Sequence, residues 1–147
     1  MKTAIQSENF LIDILGTQTP ENCEKDTISF TTVGGYMSTK TGNRLIRYKE
    51  YDPENPSLNM TTLIKVEDKQ ISIIRNGDYK GQLILELDKR HQCYYPTPLG
   101  SVVVGIYTKK MDVDMNSSGG KISVEYTLDF DSSVISENTF DINVRKN

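Results

Sequence analysis

A chain of 147 residues is long enough to bury about two-thirds of its unfolded surface, and residues 1–147 are expected to form a single domain. One alanine against fourteen isoleucines, nine valines and fourteen threonines favours strands, because β-branched side chains suit a pleated surface and lose freedom in a helix. The net charge of −3, with no basic run longer than Lys109-Lys110 or Arg145-Lys146, argues against a nucleic-acid partner, and no stretch approaches the roughly eighteen apolar residues of a membrane span.

From the N-terminus, Phe10, Ile12 and Ile14 alternate with polar positions, as on a strand with one buried face. Asp13 interrupts the apolar patch from Phe10 to Leu15 and no small-residue cleavage site follows. No secretory signal is therefore expected, and a cytoplasmic location is. Turn residues at Pro20-Glu21-Asn22 lead to Ile28/Phe30, and Gly34-Gly35 inside the same tract suggests a bulge or corner. Thr41-Gly42-Asn43 precedes Ile46/Tyr48, and Asp52 to Asn59 separates these from Met60/Thr62/Ile64/Val66. Ile71/Ile73, Leu83/Leu85/Leu87, a long tract from Gly100, Ile122 to Phe130, and Phe140/Ile142/Val144 complete the alternating runs. About nine short strands result, with no helical period. The expectation is an all-β fold: an antiparallel meander closed into a barrel of about eight to ten strands.

Register sharpens two turns. The buried positions 64/66 and 71/73 have opposite parity, which a two-residue turn at Asp68-Lys69 requires. Positions 71/73 and 81/83 share parity, so the Asn76-Gly77 pair does not form a two-residue hairpin; a three-residue loop, Arg75 to Gly77, is expected, with Gly77 left-handed. Alternating loops then put residues 18–25, 52–59, 75–77 and 114–119 at one end, and 40–43, 68–69, 88–99 and 131–133 at the other.

Motifs for catalysis are weak. His91, the sole histidine, stands in the polar connector "DKRHQCYY" and is expected to be a surface residue. "DVDMNSSGG" imitates the start of a calcium loop, but Ser117 and Ser123 replace the glycine and the bidentate glutamate. Asp129-x-Asp131 and Glu50-x-Asp52 share strand faces by spacing alone. Cys23 and Cys93 lie in loop-like contexts without a C-x-x-C, and two free thiols are expected. No metal, cofactor or enzymatic activity is expected.

Tyr48, Tyr107 and Tyr126 fall on expected inward phases, either as a filled core with bonded hydroxyls or as a pocket lining. Arg75 follows Ile71 and Ile73 inward to the rim, and Glu50 follows Ile46 and Tyr48 to the same end. They are expected either to form an ion pair or to present Arg75 to an anionic ligand.

The stretch from Ile71 to Thr108 carries Arg75-Asn76-Gly77, Tyr95, Thr97-Pro98-x-Gly100 and Tyr107-Thr108. It resembles the YwiB-like family of uncharacterised bacterial proteins, and the resemblance runs over nearly the whole chain. It implies a calycin-like barrel, the class that includes lipocalins, in a single small cytoplasmic protein, and no assigned activity. The Arg-x-Tyr pair that fatty-acid binders carry on a late strand is absent from "NVRKN". Tyr95 to Gly100 is expected to be a structural corner that launches the next strand, with Tyr94 or Tyr95 plugging that end. The leading expectation is a non-enzymatic barrel for a small apolar or amphipathic ligand, lined by Arg75, Tyr48, Tyr107, Tyr126 and Glu50, as a monomer or weak homodimer. A structural or protein-interaction barrel with a filled core comes second, and an enzyme using Arg75 and Glu50 third.

Overall fold

The computed structural model describes residues 9–50, 55–78, 80–97, 100–131 and 133–147, excepting the side chains of residues 95–97. Among these residues there is no helix. Ten strands run β1 (Phe10–Pro20), β2 (Asp26–Ser38), β3 (Arg44–Lys49), β4 (Met60–Glu67), β5 (Gln70–Gly77), β6 (Gly81–Glu86), β7 (Arg90–Thr97), β8 (Gly100–Asn116), β9 (Gly119–Phe130) and β10 (Ser133–Lys146). All belong to one antiparallel sheet ordered β6-β5-β4-β3-β2-β1-β10-β9-β8-β7, in which β1 pairs with β10. Sequence neighbours pair everywhere except between β6 and β7, whose edges face each other across a seam.

The seam is held by side chains and a few backbone bonds. The Ile84 amide donates to the Cys93 sulfur at 3.4 Å, and the Asp88 amide donates to the Thr108 carbonyl at 2.9 Å. His91 lies 2.8 Å from Glu86. The sheet is thus nearly closed into a barrel.

Inward side chains alternate as a half-wet strand dictates. Ile12, Ile46, Ile64, Ile71, Leu85, Ile106, Val124 and Ile142 are all at most 1% exposed and fill the middle of the barrel. Gly34 is where β2 changes partner: residues up to Gly34 pair with β1, and those from Gly34 onward pair with β3. A Cβ there would sit 2.4 Å from the Arg47 carbonyl oxygen, so only glycine lets the strands approach. The register carries no bulge at this point; the expected corner exists as a change of partner.

Strand β7 occupies the segment expected to be a connector, residues 88–99. Its sequence hides it: Cys93 is a small apolar anchor, and Pro96 would break a central strand. As a sheet edge, β7 accommodates a proline. Cys93 is consequently buried in a strand rather than placed in a loop, while Cys23 is exposed; both are free.

The extra strand reverses the direction of everything after it. The β1–β2, β3–β4, β5–β6, β7–β8 and β9–β10 connections share one end, termed the upper end. The β2–β3, β4–β5, β6–β7 and β8–β9 connections share the lower end. The β6–β7 connection lies at the expected end, and the expected loop assignment is wrong for every loop beyond β7. Two contacts fix the correction: the Tyr36 hydroxyl donates to the Asn116 carbonyl at 2.6 Å, and Arg44 donates to the Met115 carbonyl at 3.5 Å. Both bring the end of β8 beside the β2–β3 turn.

The two-residue turn at Asp68-Lys69 forms, with Glu67 paired to Gln70 and Lys69 at φ 62°. The β5–β6 turn differs from expectation. Arg75 still pairs with Gly81, so the loop is odd in length, as parity demands, but spans 76–80 rather than three residues. Gly77 does carry a positive φ, at 143°. Thr97 pairs with Gly100, whose φ is 117°, so the corner is the tip of the β7–β8 hairpin; Pro98 and the side chain of Tyr95 lie outside the described residues. It does launch a long strand, the 17-residue β8. Tyr94 is 68% exposed and plugs nothing.

Candidate functional site

Residues 44, 46, 48 and 50 of β3 and its exit share the inward phase, and 62 and 75 stand beside 48 in neighbouring strands. This register assembles a polar cluster at the upper end. Arg75 Nε donates to Glu50 Oε2 at 2.7 Å and Nη2 donates to Oε1 at 2.6 Å, a two-pronged pair. The Thr62 hydroxyl, 1% exposed, donates to Glu50 Oε2 at 2.5 Å. Burial pushes the Glu50 carboxyl up, but the Arg75 and Thr62 bonds and the Arg75 charge outweigh it and hold it below its ordinary value. Tyr48 lies next to this cluster, 6% exposed; burial and the Glu50 charge push its hydroxyl far above the ordinary phenol range. Phe30 packs edge-on against Tyr48 with ring centroids 6.2 Å apart.

Of the five residues singled out from the sequence, Arg75, Glu50 and Tyr48 therefore come together. Tyr126 stands across the barrel, half-buried, in a recess of about 140 Å³ shared with Ile28, Asn138 and Phe140. Tyr107 does not face the lumen. It is 37% exposed on the outer face, because a bulge between Thr108 and Lys110 adds one residue to β8. Inward positions are 104, 106 and 108 before the bulge and 111, 113 and 115 after it. A single parity read backward from Val113 puts Tyr107 on the wrong face. Phe130, at the end of β9, is 52% exposed although it keeps the phase of Leu128.

The carboxylates paired by spacing alone separate. Asp129 is 5% exposed and accepts two bonds from Arg90, at 2.9 and 2.6 Å, whose guanidinium lies where a side chain on Gly105 would be. Asp131 is an exposed turn residue with φ 54°. Asp52 lies outside the described residues. Asp112 and Asp114 are exposed, and no metal-ligating group of His, Cys, Asp and Glu exists among the described residues. His91 is not a plain surface residue; it pairs with Glu86 across the seam.

Two features were missed from the sequence. Arg44 begins β3 on the same inward phase as Ile46 and Tyr48, which is the signal that located Glu50. Thr108 is fully buried with a hydroxyl that has no hydrogen-bond partner among the described residues, and only the bulge reveals that it faces inward.

No helix among the described residues is long and apolar enough to cross a membrane. The search of curated proteins returns no match. A crystal structure titled as the ywiB protein from Bacillus subtilis superimposes with a TM-score of 0.81, at 18% identity, over 98% of this chain and 96% of that one. At that identity the likeness speaks for the fold alone. The family model described as a domain of unknown function, DUF1934, matches residues 12–142, and this chain, a strand-built barrel with an ion-paired upper rim, belongs to that family.

Proposed function

We propose that this protein is a non-enzymatic, calycin-like barrel that binds a small apolar or amphipathic ligand at an open end. The observation that carries the reading is the contrast along the barrel axis. The middle is filled by side chains at most 1% exposed, whereas inward apolar side chains beyond it stay wet: Ile28 is 63% exposed above and Val113 is 42% exposed below. Apolar surface turned inward but left in water forgoes roughly 25 cal/mol per Å², a gain that a ligand recovers on binding. Tyr126 and Phe140 flank Ile28 above, with Tyr48 next to the Arg75–Glu50 pair.

The same cluster argues against catalysis. Glu50 is held ionised by three bonds from Arg75 and Thr62, which leaves it poorly suited to exchange protons near neutral pH. A cytoplasmic setting is part of the proposal, in keeping with two unbridged cysteines. A second reading, an interaction barrel with a filled core, is favoured by the exposed Tyr94, Val102 and Val103 on the β7–β8 hairpin.

Native mass spectrometry of protein purified from its own host tests the function. The expected result is a fraction carrying additional mass that dissociates on denaturation, together with saturable binding of a lipophilic dye. A bare chain mass in every preparation, with no dye binding, would turn the assignment toward the interaction barrel.

A further inference from the structure

Arg44 stands opposite Ser38 of β2 and the buried Val66 of β4, facing into the lower end. Its guanidinium donates to the Ser38 hydroxyl and to the Met115 carbonyl, both neutral acceptors. Among the described residues no carboxylate pairs with it. Arg75, Arg90 and Arg145, by contrast, each grip a carboxylate through two N–H groups. A guanidinium offers five donors in a planar fork that matches a carboxylate, so Arg44 retains unmatched capacity.

The cation opens onto a groove of about 480 Å³ across the lower end. Leu87 and the inward side chains of β8 beyond its bulge, Met111, Val113 and Met115, form an apolar wall. Unbranched thioether chains adapt to ligands of irregular outline. Lys69 adds a second positive charge on the rim. Of the two acids there, Glu67 alternates outward, with Lys65 4.0 Å away, and Asp68 is an exposed turn residue. The rim charges of Glu67, Asp68 and Lys69 largely offset one another, and Arg44 is the cation that stands on the inward phase.

We propose that this groove is a binding site for an amphipathic carboxylate, with the head group on Arg44 and a short apolar chain along Leu87, Met111, Val113 and Met115. The inference rests on the reading that the barrel takes a ligand at an open end, and it names which end and what charge. Arg44 recognises the ligand, and the Arg75–Glu50 pair does not.

The test is a titration with decanoate, followed by calorimetry and by the methyl resonances of the methionines. The expected result is saturable binding that shifts Met111 and Met115. Binding should weaken about tenfold or more with Arg44→Gln, and comparably when decan-1-ol replaces decanoate. Arg44→Lys, which keeps the charge, should retain an intermediate affinity. Val113→Asp leaves the bonds of Arg44 untouched and sets a carboxylate in the groove; it should abolish binding even if Arg44→Gln proves poorly folded. Decanoate that shifts resonances of Ile28 and Phe140 but not the two methionines would overturn the lower-end site while leaving the binding function standing. Shifts at neither end would overturn both, and methionine shifts unchanged in Arg44→Gln and Val113→Asp would overturn the role given to Arg44.

Discussion

Arg75 at the upper end and Arg44 at the lower end both stand on inward phases, two strands apart in one sheet, yet their partners differ. Arg75 is closed by Glu50 in a two-pronged pair that Thr62 reinforces, whereas Arg44 meets only a hydroxyl and a carbonyl. The difference shows that position on a barrel rim does not decide what an arginine does. A carboxylate in reach converts it into a structural clasp; without one, Arg44 is held by neutral acceptors alone.

Removing the clasp has the largest expected effect. Glu50→Ala strands a partly withdrawn guanidinium and the buried Thr62 hydroxyl, and should cost about 2–3 kcal/mol, below the range of roughly 3–5 for fully buried pairs because Arg75 keeps 30% of its side-chain exposure. Arg75→Ala should cost a similar amount, and the double variant much less than the sum. Arg44→Ala, with no charged partner to strand, should cost below about 1 kcal/mol. Urea denaturation of the four proteins measures all of this. Additive losses at the upper end, or a larger loss at Arg44, would erase the distinction between the ends.

A smaller effect appears in the pH dependence. The folded carboxyl of Glu50 lies below its ordinary value of 4.5, so on acidification the unfolded chain takes up this proton first. The stability that Glu50 contributes is therefore present above about pH 4.5 and is lost as pH falls through the lower, folded value. Denaturation curves compared between neutral pH and about pH 3 should show a shallower acid decline in Glu50→Gln than in the native chain. Asp13 is depressed in the same sense by Arg145, Thr31 and Asn143, so part of the decline persists in the variant. Parallel curves would mean that Glu50 is not held by its partners.

Much of the architecture was legible because inward and outward positions alternate with period two. Ile12/Ile14, Ile46/Tyr48 and Ile64/Val66 face inward as parity requires, and the same phase carried Glu50 and Arg75 to a common end. The errors arose where one residue changes the parity or one strand lacks the pattern. The bulge in β8 threw Tyr107 outward, and no local signal in "GIYTKKMDV" announces it. Strand β7 carries a proline and a small cysteine anchor, which an edge position accommodates, so it read as a connector and misplaced every later loop. Arg44 was as legible as Glu50, but a lone inward arginine does not disclose from sequence whether an acid awaits it.

Thermal melting of Arg75→Ala and Arg44→Gln, each with and without saturating decanoate, separates the two ends most directly. The clasp and the recognition site should dissociate: Arg75→Ala should melt several degrees lower than the native chain yet keep the ligand-induced rise, while Arg44→Gln should melt near the native temperature and lose it. The opposite pattern, with the rise lost in Arg75→Ala and kept in Arg44→Gln, would contradict the assignment of structure to the upper arginine and recognition to the lower one.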